Sequence, residues 1–293
     1  MTIESQTDFN ARASTAAFIG TLQAGYTDFH YLRPIWKKTT EEQALIGVGI
    51  TGIAAGSILK YNETTAANWA VISNTIYAKE IGINSAARVT TVKPSGTTSL
   101  VVGSSSGIHG WHAPYYLRRM RLGRDEAIYK YLNSVIPEYI EDDKHEPSQV
   151  VLAIPQKAPD GAIMRSESAL ELLERTSRYN TNWVRTGHVY GDNTNNVSVT
   201  VSIRDNEWAD VGKWMWDNRN DYNGISVLPY DGGSYVQAPF EDIDKDTYER
   251  LFAGLHAIDL SLVKENSDNT DLSGEVACAG AGCEVDFDAL GKE

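Results

Sequence analysis

One run, Ala44-Leu-Ile-Gly-Val-Gly-Ile-Thr-Gly-Ile53, constrains the fold more than any other stretch of the chain. Its apolar residues fall on both parities, so as a strand it would present apolar groups to both faces of a sheet. It is too short to cross a membrane, and a strand buried on both faces belongs in a parallel sheet covered by helices. The rest of the chain alternates in the same way. Helices are expected over about residues 8–27, 63–80, 125–135, 168–183, 206–216 and 245–258, and strands over 89–92, 115–121, 150–155, 196–203 and 224–229. Ser168 and Glu171 have the spacing of a capping box. Ala67, Trp69, Ala70, Ile72 and Ile76 give the second helix an apolar stripe, and Trp208, Trp214 and Trp216 read as core. Pro34 reads as a break and 39–42 as a polar turn. Residues 137–147 read as an acidic surface loop, and Pro155 as the end of its strand. The fold class is therefore α/β with mostly parallel strands, an open sheet or a barrel, in which ligands sit at the carboxyl ends of strands.

The stretch at one such end is Val92-Lys-Pro-Ser-Gly-Thr-Thr-Ser-Leu100. It reads as strand, tight turn and helix N-terminus, where unpaired amides and a partial positive charge favour an anion. Gly96 allows close backbone approach, and the hydroxyls of Ser95, Thr97, Thr98 and Ser99 add donors. Pro94 to Ser99 is thus either a phosphate cradle or an ordinary turn capped by hydroxyls; it lacks the spacing of a P-loop. The long loop 103–110 follows. His109 and His112 beside it are either packing histidines or groups lining a cofactor, and Arg118, Arg119 and Arg121 either meet anions or form a solvated strand face.

A net charge of −13 argues against binding duplex nucleic acid, which needs clustered cations. No apolar run reaches membrane-spanning length, and the N-terminus has no basic-then-apolar leader, so a cytoplasmic location is expected. From Lys264 the chain turns polar, acidic and glycine-spotted, with too little apolar surface to fold, and a flexible tail over 264–293 is expected after one body over 1–263. The two cysteines of the chain, Cys278 and Cys283, lie in that tail, separated by Ala-Gly-Ala-Gly. A structural disulfide there would tether nothing, and no histidine or second cysteine pair completes a zinc site. What remains is a pair of idle thiols or, preferred here, a dithiol that shuttles redox equivalents on an arm.

Several stretches together resemble the adenosylcobalamin-dependent (class II) ribonucleotide reductases of the monomeric ribonucleoside-triphosphate reductase type. They are Ala16 to Asp28, Val92 to Leu100, His112 to Arg119, Gly224 to Pro229, Tyr235 to Pro239 and Cys278 to Cys283, and the resemblance runs along essentially the whole chain. It implies half of a ten-stranded α/β barrel, adenosylcobalamin as cofactor and a ribonucleotide as substrate. On this likeness Pro94, Ser95, Gly96, Thr97, Thr98 and Ser99 grip the substrate's phosphates. Cys278 and Cys283 re-reduce an active-site disulfide and are recharged by thioredoxin or a similar reductant. The family's Asn-x-Cys-x-Glu radical loop, its active-site cysteine pair and its effector region have no counterpart here. The chain thus resembles the C-terminal half alone. Its initial Met and its cysteine-bearing tail favour a separately encoded N-terminal half, hence a split enzyme. A non-catalytic nucleotide-binding remnant and a stand-alone dithiol carrier are the alternatives.

Overall fold

In the computed structural model, residues 2–230 and 236–265 are described. Cys278, Cys283 and nearly all of the expected tail lie outside them. In chain order the elements are α1 (Gln6–Ala24), α2 (Pro34–Gln43), β1 (Val48–Gly49), α3 (Glu63–Ile81), β2 (Thr90–Thr91), α4 (Gly96–Val101), β3 (Tyr115–Gly123) and α5 (Ala127–Val135). They continue with β4 (Ile140–Asp142), β5 (Gln149–Lys157), α6 (Ala169–Tyr179), β6 (Val199–Ile203), α7 (Trp208–Asp217), β7 (Ile225–Pro229), β8 (Phe240–Asp242) and α8 (Lys245–Gly254). Where the sequence suggested one body through residue 263, these elements divide between two compact units. One joins 1–110 to 161–230, and the other joins 111–160 to the described part of 231–293.

The first unit carries the parallel strands. β1 pairs with β2 in parallel, Val48 opposite Thr90, and β6 pairs with β7 in parallel, Val199 opposite Ile225. A parallel bridge between Val92 and Val197 links the two pairs, giving the order β1-β2-β6-β7. Helices α1 and α3 lie side by side and run the same way. The buried part of their contact is made of small and polar residues, Ala13, Ala17 and Thr21 on one and Ala66, Ala70, Ser73 and Asn74 on the other, and the Phe18 and Tyr77 rings meet beside it at 4.5 Å. Small side chains let the backbones approach, and the polar ones are satisfied across the seam. Ser73 Oγ donates to Ser14 O at 2.8 Å and Asn74 Nδ2 to Thr21 Oγ1 at 2.8 Å, while Asn74 Oδ1 accepts from Ala86 N at 2.9 Å. This packing corrects the expected stripe on α3. Ala67 and Ala70 do face the core, but Trp69, Ile72 and Ile76 point to solvent.

The capping box of α6 forms as its spacing predicts. The helix then widens into a π-turn over Asn180–Val184, which carries the fully buried Trp183. Trp183 stacks on Phe9 with centroids 5.7 Å apart and donates its Nε1 hydrogen to Thr91 O at 3.0 Å. Thr90 Oγ1 donates to Trp183 O at 2.6 Å, and a Cβ on Gly187 would fall 1.9 Å from that hydroxyl oxygen. Only glycine permits this approach. Of the tryptophans on α7, Trp214 is buried and donates to Glu174 at 2.6 Å, whereas Trp208 and Trp216 are exposed rather than core.

The second unit corrects the expectation of mostly parallel strands. Its four-stranded sheet, in the order β4-β5-β3-β8, is antiparallel throughout. Part of the expected 137–147 loop is a short 3₁₀ turn and β4. Pro155 does not end its strand. β5 runs on to Lys157, with Pro155 opposite Leu117. The odd-numbered residues of β3 turn their backbone groups toward β8, as Arg119 N does to Pro239 O. The Leu117–Pro155 pair is therefore not hydrogen-bonded, and the missing N–H of Pro155 faces the side of β5 beyond the end of β4, where no ladder bond is lost. Leu132, Ile136, Tyr139 and Leu152 form the core of this unit, and Tyr139 Oη donates to Leu251 O at 2.6 Å.

Helix α2 is absent from the sequence expectation. Pro34 starts it rather than breaking the chain, because a proline at the first helical position lacks an N–H that would have no partner there anyway. Among the described residues no helix is long and apolar enough to cross a membrane.

Candidate functional site

The carboxyl ends of β1 and β2 lead into two loops that are stitched together. Beyond β2, residues 93–95 run into α4, and beyond β1 comes Thr51. The Thr51 and Ser95 hydroxyls lie 2.6 Å apart in a hydrogen bond. Thr51 Oγ1 also donates to Ser105 O at 3.0 Å and accepts from Gly107 N at 3.0 Å. Ser95 N donates to Ser106 Oγ at 2.9 Å, and Gly52 N to Ser105 O at 2.9 Å. The loop 103–110 thus folds back under Pro94–Ser99 as its support. Gly107 makes this possible: its φ is +54°, and a Cβ there would lie 2.6 Å from Lys93 O.

The residues expected to hold phosphate are partly committed elsewhere. Ser99 is buried, and its hydroxyl donates to Ser95 O and lies 3.2 Å from Gly96 O. Ser95 is tied to Thr51. Pro94 and Thr98 are exposed and Gly96 is half-buried. The first amide of the turn to find a partner inside the helix is that of Ser99, on Ser95 O at 3.0 Å. The amides of Gly96 and Thr98 fall in the first turn of α4, the usual position of the orphan donors of a helix. What the site can offer an anion is chiefly backbone, with the Thr98 hydroxyl beside it.

His109 belongs to the supporting loop. Thr200 N donates to its Nε2 at 3.1 Å, which fixes that nitrogen as an acceptor and places the ring proton on Nδ1, 3.2 Å from Ser106 O. Burial holds the pKa of His109 below its ordinary value, and the nearby Arg175 acts in the same direction. Arg175 is itself buried in a two-point pair with Glu167, at 2.5 and 2.7 Å, and reaches Ile108 O at 3.3 Å. A neutral histidine with both nitrogens bound inside the chain has no lone pair for a cofactor. Asn195 Nδ2 donates to Ile46 O and Thr90 O, at the amino ends of β1 and β2.

In the second unit, His112 Nε2 lies 2.6 Å from Asp242 Oδ1, and the ring stacks on Phe240 at 5.1 Å. Tyr116, also against this ring, has its pKa pushed up to about 12 by burial. The arginines of β3 are committed within the sheet. Arg118 lies over Phe240, Arg119 pairs with Glu241 at 2.6 Å, and Arg121 pairs with Asp143 at 2.8 Å. Among the described residues no cluster of His, Cys, Asp and Glu could hold a metal ion.

Sequence reasoning did not single out Thr51, Ser105 or Ser106, although these residues set the shape of the loop. A lone Thr after an apolar strand carries no local signal of being a three-way hydrogen-bond hub.

No family model matches the chain. It is 29% identical over 224 residues to the adenosylcobalamin-dependent ribonucleoside-triphosphate reductase of Lactobacillus acidophilus, covering 73% of this chain and 29% of that protein. The protein of the same name from Lactobacillus leichmannii is 30% identical over 217 residues, covering 71% of this chain and 28% of that one. A solved B12-dependent (class II) ribonucleotide reductase superposes with a TM-score of 0.65 at 23% identity, over 75% of this chain and 34% of that one, a likeness of fold. The sequence match covers less of the chain than the resemblance suggested, and the chain spans under a third of the length of these curated relatives. It is a homologue of one part of the adenosylcobalamin-dependent ribonucleotide reductases.

Proposed function

We propose that this chain is the C-terminal portion of a B12-dependent ribonucleotide reductase, forming half of its ten-stranded barrel and working with a separately encoded N-terminal portion. In this reading the turn Pro94–Ser99 holds the substrate's phosphates, chiefly through backbone amides at the start of α4, and Cys278 with Cys283 carries reducing equivalents. The dithiol gives two electrons and two protons to a disulfide on the partner, becomes a disulfide itself, and is reset by thioredoxin or a similar reductant. The observation that carries the reading is the supported turn at the carboxyl end of β2, in a chain homologous to reductases of that name. The cofactor of those relatives is adenosylcobalamin. His109 and His112 do not suit it as ligands, the first having both nitrogens bound in the chain and the second paired with Asp242. We therefore assign the cobalamin to the portion this chain lacks and route no step through His109 or His112.

Reconstitution tests the reading. Both portions, adenosylcobalamin and a dithiol should together convert a ribonucleoside triphosphate to its deoxy form, and neither portion should do so alone. Cys278→Ser should abolish turnover driven by thioredoxin and spare turnover driven by dithiothreitol; equal loss with both would sink the relay. Thr98→Asp places a negative charge where the phosphates would sit, yet an acid in the first turn suits the helix dipole. It should keep the melting temperature and raise KM by about tenfold or more, roughly 1.4 kcal/mol. Tight nucleotide binding with no turnover in any combination would identify a non-catalytic remnant instead.

A further inference from the structure

The outer surface of the α1–α3 pair is built unlike a solvated helix face. Ile19 is 60% exposed and Leu22 41% on α1, and Trp69, Ile72 and Ile76 are 48%, 48% and 50% exposed on α3. By helical spacing these residues lie opposite the buried Ala13, Ala17, Ala67 and Ala70, on one outward surface. The chain has no charged residue between Arg12 and Asp28, and none between Glu63 and Lys79. Charge makes up 22% of the sequence, and exposed helix faces are where most of it should fall. An apolar, charge-free surface spread over two neighbouring helices marks an interaction site rather than a solvated face.

We infer that this surface, the charge-free outer face of α1 and α3 between Arg12 and Asp28 and between Glu63 and Lys79, is where the remainder of the reductase docks. The inference rests on the proposed split into two portions and adds the surface through which they join. That occupant is the part of the matched relatives that lies outside their stretch in common with this chain. The matched relatives are more than three times as long as their stretch in common with this chain, and that stretch takes up 71–73% of the chain itself. A surface with no charges to match selects a partner by apolar shape, so the facing surface on the remainder is uncharged as well.

The test uses the full chain and the separately produced remainder. Hydrogen exchange should show new protection over residues 13–27 and 64–78 when the two are mixed. Ile19→Glu and Ile72→Glu, both at exposed positions, should leave the melting temperature of the chain unchanged and together weaken the complex by about 30-fold or more. If the complex forms with no protection there and undiminished affinity in the double variant, the surface is wrongly assigned while the split enzyme stands. Should the remainder not bind at all, both fall together. A stable dimer of this chain, dissolved by the same substitutions, would give the surface to a second copy and overturn the inference.

Discussion

His109 shows how one side chain couples the supporting loop to pH. Its Nε2 accepts from Thr200 N and its Nδ1–H meets Ser106 O, so the ring must be neutral to make both bonds. Burial sets its folded-state pKa below the ordinary 6.5, and the unfolded chain therefore takes up the proton first as pH falls. The stabilising contribution is complete above pH 6.5 and is lost as pH drops below it toward the folded value. Melts at about pH 7.5 and 5.5 should record this loss, and His109→Gln should shrink it while costing about 1–2 kcal/mol at the higher pH. The sequence places His109 beside the loop but leaves its role open, because a backbone donor ninety residues away decides it. Thr51 is hidden for the same reason: Ser95, Ser105 and Gly107 reach it only in the folded chain.

Elements were legible where their signals are local. The capping box of α6, the start and length of α3 and the β-branched run of β6 follow from neighbours in sequence. Helix α2 was not, since proline is both a breaker and a favoured first residue and only the structure tells which. The α3 stripe failed for a subtler reason. Large apolar residues attract the eye, yet the core seam with α1 is built from alanine, serine and asparagine. Within α6 two devices differ in weight. Arg175→Met leaves Glu167 charged and buried without its partner and should cost about 3–5 kcal/mol. Ser168→Ala removes an exposed cap and should cost about 1 kcal/mol. Urea titrations of the two variants should rank them in that order; equal losses would mean that the buried pair contributes no more than a cap.

For the molecule as a whole, charge and association should be separable. The chain carries −13, but the surface assigned to docking carries none. Salt should therefore change its affinity for the remainder by less than about threefold between roughly 50 and 500 mM, because there are no facing charges to screen. A steep salt dependence in the same titration would point to a charged interface elsewhere. The class of fold was readable in the alternation of strands and helices, though not the antiparallel sheet, whose long strands β3 and β5 alternate too loosely to declare a direction.

The bridge between Val92 and Val197 carries one more consequence, for the order in which the nascent chain can fold. The Thr90 and Thr91 hydroxyls donate to Trp183 O and Asn196 O, about a hundred residues downstream, and the first unit is interrupted by residues 111–160. Until residues up to 203 have left the ribosome, β2 has β1 on one side and nothing on the other. Non-local pairing of this kind is slow and leaves a strand edge open meanwhile. A nascent chain halted at residue 160 would hold every residue of the supported turn and none of the second wall that keeps it in place.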